Sequence, residues 1–136
     1  MTMATLTPGV RALFEGKNFG HLATIMADGS PQVSVVWVDV EGDNILVNTA
    51  EGRIKPRNVR RDPRVAISIY DQDVPYKSAT IQGEVVEVRT EGAVENIHKL
   101  AKKYMGLDEY PNLQPGEQRL LFVIRPDKVF GMMTDE

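Results

Sequence analysis

The chain has 136 residues, 42% hydrophobic and 26% charged, with a formal net charge of -3 and no cysteine. That size fits a single domain spanning residues 1–136 with a real core, and the missing thiols exclude disulfides, thiolate nucleophiles and cysteine metal sites. No apolar run approaches the roughly 20 residues that cross a bilayer, the N-terminus lacks a signal-peptide pattern, and the mild acidity argues against a nucleic-acid partner; a cytoplasmic protein is the expectation.

Thr7-Pro8 caps and opens a short helix, with Val10, Leu13 and Phe14 on one face and Gly16 beyond its end. His21 to Met26 reads as a strand, Asp28-Gly29 as a hairpin turn, and Gln32 to Val40 as the returning strand. That run is apolar at Val33, Val35 and Trp37 but also at Val36, Val38 and Val40, so it predicts a strand covered on both faces by a helix or a second subunit. Asn44 to Thr49 is a third strand in meander order. Arg64 to Tyr70 and Ser78 to Val88 follow. The second changes apolar phase between Val85 and Val86, next to Gly83, which predicts a bulge or a barrel bend. Glu91 to Met105 is the clearest helix, with Thr90 as its cap, Ala93, Ile97, Leu100, Ala101 and Tyr104 as its stripe, and Gly106 as its end. Leu120 to Ile124 and Lys128 to Met133 read as final strands joined by a tight Arg125-Pro126-Asp127 turn. The sum is a mainly β domain of six or seven antiparallel strands with a few helices, and closing it into a small barrel removes its edges.

Between the third and fourth strands stands a concentration of charge. Arg53, Lys55, Arg57, Arg60, Arg61 and Arg64 are six of the 16 cationic residues, within twelve positions of an acidic chain. Such a cluster points to an anion site, and a helix N-terminus flanked by Lys and Arg suits phosphate. Arg53 and Lys55, before Pro56, are the stronger phosphate ligands. Arg57 and Arg61 read as solvated, and Arg60 and Arg64 as partners of Asp62 or other carboxylates. His98 follows the apolar Ile97 and reads as exposed. Neither His21 nor His98 has neighbours at metal-ligand spacing, and Ser34 lacks the Gly-x-Ser-x-Gly frame of a hydrolase nucleophile. Trp37 reads as core or subunit packing, and Tyr76 as a loop aromatic that can stack on a ring.

The order of these pieces resembles the flavin/deazaflavin oxidoreductase superfamily with the split β-barrel of pyridoxamine 5'-phosphate oxidase. The resemblance rests on His21-Leu22-Ala23-Thr24-Ile25, Asp28-Gly29-Ser30-Pro31-Gln32-Val33-Ser34, Asn58-Val59-Arg60-Arg61-Asp62-Pro63-Arg64-Val65, Gln82-Gly83-Glu84-Val85 and Val129-Phe130-Gly131. It implies a homodimer with a flavin-type cofactor in an interface groove and a small-molecule substrate. Arg53, Ile54, Lys55, Asn58 and Arg60 fall in the segment that holds the cofactor phosphate. Val33, Ser34, Val35 and Val36 fall along the ring edge, Asn48, Thr49 and Ala50 beside the phosphate arm, and Tyr76, Lys77 and Ser78 at a further wall. The short length, the Arg-x-Lys after the third strand and the lack of a long C-terminal Trp- and Arg-bearing segment look more like the branch that uses the deazaflavin coenzyme F-420 than the FMN branch. The implied activity is hydride transfer to an activated double bond, with no residue singled out as catalytic and no metal. FMN in the same fold and a non-catalytic cofactor carrier are the alternatives.

Overall fold

The computed structural model describes residues 4–134. In chain order the elements are α1 (Pro8–Glu15), β1 (Gly20–Ile25), β2 (Pro31–Val36), β3 (Val38–Glu41), β4 (Asn44–Ala50), α2 (Ile54–Arg61), β5 (Arg64–Tyr70), β6 (Ser78–Arg89), α3 (Ala93–Met105) and β7 (Arg119–Met132). The strands form one antiparallel sheet in the order β2-β1-β5-β6-β7-β4-β3. Its two edge strands, β2 and β3, are consecutive in sequence and separated only by Trp37. One residue cannot bridge a flat seven-stranded sheet, so the sheet curls until its edges meet, and β2 and β3 do not pair. The result is the predicted mainly β, antiparallel split barrel, with the split between β2 and β3.

Alternation explains what fills it. Leu22, Val38, Ile45, Val47, Ile67, Ile69, Ile81, Phe122 and Ile124 point inward and form one buried cluster with Val10, Leu13 and Phe14 of α1 and Val59 of α2. Thr7 accepts a hydrogen bond from the Val10 N–H at 3.3 Å and Pro8 opens the helix, as the sequence predicts. α3 covers the outer side of β4 and β7, where Leu46, Leu121 and Val123 meet Ala93. Ile97, Leu100 and Tyr104 pack with Phe19, Trp37 and Tyr110.

Four readings change. The run Gln32 to Val40 is two strands, β2 and β3, broken at Trp37; the alternation carries across the break, so Val36 and Val38 are buried while Val33 and Val35 are 64% and 63% exposed. The strands apolar on both faces are β4 and β7, and α3 is their cover. The two C-terminal strands are one. Gln82 pairs with Lys128 and Gly83 with Pro126, so Asp127 is an extra residue in a β7 bulge rather than part of a turn. At Gly83 an added Cβ would stand 2.2 Å from the Arg125 carbonyl oxygen, so only glycine lets the strands approach there. A second bulge at Val86 produces the phase change seen in the sequence. Finally, α3 begins at Ala93, with Gly92 (φ +79°) at its N-cap and no side-chain cap. Thr90 contributes only its carbonyl, to the Ala93 N–H.

The register also defines an outer sheet face. Tyr70, Ser78 and Met132 lie in one cross-strand row, and Val35, His21, Ser68, Thr80 and Phe130 in another. Val33, Val35, Tyr70, Phe130 and Met132 are exposed there. Among the described residues no helix is long and apolar enough to cross a membrane.

Candidate anion-binding site

β4 delivers Asn48 and Thr49 to the rim of the barrel. Gly52, at φ +91°, turns the chain, and Arg53, extended at φ -91°, becomes the N-cap of α2 without a side-chain cap. The first N–H groups of α2 are therefore left without that partner. Val35, Val36, Trp37, Asn48, Thr49, Arg53, Lys55, Tyr110 and Arg119 meet around a cavity of about 270 Å³, closed by α3 at Ile97 and Met105 and by the loop at Asn112. Three cations from two segments thus face one space.

Their states differ. Arg119 is 4% exposed and held by neighbours: its Nε donates to Asn48 Oδ1 at 3.0 Å, a terminal nitrogen donates to Glu117 at 3.1 Å, and its guanidinium lies 5.4 Å from the Tyr110 ring centre. Arg53 reaches the same Glu117 carboxylate at 3.9 Å. Lys55 makes no ion pair among the described residues; burial, then the charge of Arg53, pushes its pKa below the usual lysine range. A desolvated, unpaired ammonium next to uncapped helix N–H groups is set to accept an anion. The hydroxyl of Thr49, a residue only 1% exposed, also has no hydrogen-bond partner among the described residues.

Asn48 carries a bracing role that its place in the sequence did not suggest. Its amide donates to Ala93 O at 2.7 Å and Asn96 Oδ1 at 3.0 Å while its oxygen holds Arg119. Asn96 continues to Asp39, which also takes Lys99 at 2.9 Å. The cavity wall is thus tied through α3 to β3. Behind Trp37, Tyr104 stacks at 5.1 Å and 10°, and Tyr110 stands edge-on at 5.9 Å. The Tyr110 N–H donates to His98 Nδ1 at 2.9 Å, so His98 is a half-buried loop anchor rather than an exposed residue.

Of the sequence-derived site residues, Val35, Val36, Asn48, Thr49, Arg53 and Lys55 line this cavity; the others do not. Val33 is on the open outer face, and Ser34 packs inward with its hydroxyl unpartnered. Ala50 is buried and Ile54 is exposed. Asn58 is buried and donates to Thr24 Oγ1 at 2.9 Å and Met26 Sδ at 3.3 Å, a structural tie. Arg60 pairs with Glu51 at 2.7 Å and Arg64 with Asp62 at 2.8 Å, as expected. Arg61 differs: it donates to Ile25 O and Asn58 Oδ1, both at 2.8 Å, and so holds α2 to β1. Tyr76, Lys77 and Ser78 lie at the β5–β6 connection, outside the cavity. Arg119, Glu117 and Tyr110 were missed; a cation opening the apolar run Leu120 to Ile124 was the available signal.

A larger groove, about 490 Å³, crosses the outer sheet face between Ala23, Ala66 and Gln82. Its Arg64 is paired with Asp62, its Lys128 is exposed, and the carboxylates of Glu84 and Asp127 line it as well, so it offers less to an anion than the Lys55 cavity despite its size.

The fold is shared with solved structures. One described as an F-420 reductase is 30% identical, with 88% of this chain and 94% of that chain covered at a TM-score of 0.77. A conserved hypothetical protein from Mycobacterium tuberculosis is 22% identical over 98% and 88% at 0.70. HupZ from Group A Streptococcus is 19% identical over 96% of each chain at 0.68. Residues 6–133 match the family model for pyridoxamine 5'-phosphate oxidase, and with every described strand inside that match, the chain belongs to this family.

Proposed function

We propose that the chain is an oxidoreductase that binds coenzyme F-420 and reduces an activated double bond of a small organic substrate. The observation that carries this reading is Lys55: a half-buried, unpaired cation that shares a cavity with Arg53 and Arg119 at the uncapped start of α2. The likeness to a protein described as an F-420 reductase supports the choice of cofactor.

On this reading Lys55, Arg53 and the α2 N–H groups hold the phosphate, and Thr49 has a free hydroxyl beside it. β2 is an edge strand, so backbone groups of Val33 to Val36 on its open side are available to a flat heterocycle. Trp37 and Val35 supply an apolar wall that excludes water. The bound coenzyme supplies the hydride; the residues orient it, and no side chain is assigned a proton transfer. The apolar outer face, with Val33, Val35, Tyr70, Phe130 and Met132 exposed, is the contact surface of a homodimer, across which Tyr76, Lys77 and Ser78 of one protomer complete the site of the other.

Parallel titration with F-420 and FMN, followed through Trp37, the sole tryptophan, tests the cofactor. Tighter F-420 binding is expected. Equal or tighter FMN binding reverses the assignment to FMN. Absence of hydride transfer to every acceptor offered would leave a cofactor carrier.

A further inference from the structure

We infer that Glu117 tunes the charge selectivity of the anion cavity: its carboxylate, shared between Arg53 and Arg119, weakens the binding of a doubly charged phosphomonoester more than that of a singly charged phosphodiester. The inference rests on the reading that the ligand phosphate sits at Lys55 and Arg53.

Glu117 lies 3.1 Å from one guanidinium and 3.9 Å from the other. Its side chain is only 14% exposed, so its field inside the cavity is weakly screened. It is also fixed in place. Glu117 N donates to Gln114 O and Glu51 N donates to Gln118 O, while Arg119 pairs with Ala50 at the start of β7. Arg119 is already committed to Asn48, Glu117 and the Tyr110 ring. An arriving phosphate therefore meets Lys55 and Arg53, with a fixed carboxylate 3.9 Å from the Arg53 guanidinium. The repulsion from that carboxylate grows in proportion to ligand charge. A phosphomonoester carries about -1.5 to -2 at neutral pH, whereas a diester carries a single charge. F-420 presents its phosphate as a diester and FMN as a monoester, so Glu117 penalises FMN more.

The test is the dissociation constants of F-420 and FMN for the wild-type chain, Glu117→Gln and Lys55→Ala at one ionic strength. Glu117→Gln keeps an acceptor for Arg119 and removes the charge. It is expected to tighten FMN binding by about ten-fold more than F-420 binding. Equal changes, or a gain favouring F-420, overturn the inference. Lys55→Ala separates the two failures. If it weakens both ligands while Glu117→Gln leaves their ratio unmoved, the phosphate position stands and the role of Glu117 falls. If it is silent, the phosphate position falls and the inference with it. Should Glu117→Gln fail to fold, Glu117→Ala serves instead, since it removes the same charge. It is expected to move the ratio of FMN to F-420 affinity in the same direction, and an unmoved ratio or a gain favouring F-420 overturns the inference.

Discussion

At the residue scale, two cations of one segment have opposite duties. Lys55 is unpaired and desolvated, while Arg61 ties α2 to Ile25 and Asn58. Lys55→Ala is therefore expected to weaken cofactor binding by roughly 1.5 to 3 kcal/mol, about ten- to a hundred-fold, with the melting temperature unchanged. Arg61→Ala is expected to lower the melting temperature and to weaken binding less. Titration and thermal unfolding of both variants check this, and equal loss of binding in the two would place the phosphate at the wrong end of α2. Tyr104 is a second such residue. Its hydroxyl accepts from the Val38 N–H at 3.1 Å and donates to Asn18 O at 2.7 Å. Tyr104→Phe strands both groups in a buried site and is expected to cost about 1–3 kcal/mol in denaturant unfolding.

At the element scale, the β6–β7 ladder and the α3 clamp decide stability. Gly83→Ala places a methyl against the backbone oxygen of Arg125, which belongs to the bulge and cannot swing away as a side chain would. A loss of about 2 kcal/mol or more is expected, read as a lower denaturation midpoint. α3 is clamped through neighbouring residues that titrate with opposite signs. Lys103 donates to Phe14 O at 2.7 Å and Val38 O at 2.8 Å, and burial pushes its pKa from 10.5 down to about 8. Between those values the folded chain has shed a proton that the unfolded chain still holds, so this group adds stability as pH rises from about 8 to 10.5. Burial pushes Tyr104 from 10.0 up to about 12, so its contribution is complete below pH 10 and is lost as pH climbs through that interval. Thermal unfolding from pH 7.5 to 11.5 is expected to show Lys103→Met without the rise and Tyr104→Phe without the fall.

At the scale of the whole molecule, the exposed face of β2, β1, β5, β6 and β7 is the surface on which the proposed dimer would form. Val35 and Phe130 are 63% and 57% exposed in a single chain, and burying such residues contributes roughly 1.5–3 kcal/mol each. Sedimentation is expected to give a dimer at micromolar concentration, and Val35→Glu a monomer with weakened cofactor binding. A wild-type monomer would remove the dimer and with it the role proposed for Tyr76, Lys77 and Ser78 of a second protomer.

Local pattern determined most of the elements. Period-two alternation marked the strands, the Ala93-to-Tyr104 stripe marked α3, and the phase change beside Gly83 announced a bulge, because these features arise from each segment facing a single core. The density of cations between β4 and β5 likewise pointed to that segment as the candidate anion site. What only the tertiary structure decided depends on residues distant in sequence. The single residue between β2 and β3 shows the curl of the sheet only when their places at opposite edges are known. Arg119 joins Arg53 and Lys55 because β7 pairs with β4. Whether a cation is free or spent depends on which carboxylate or carbonyl the fold brings beside it. Lys55 is left open, Arg60 is matched by Glu51, and Arg119 is held by Glu117 and Asn48. Charge is a property of the residue, but its availability is a property of the packing around it.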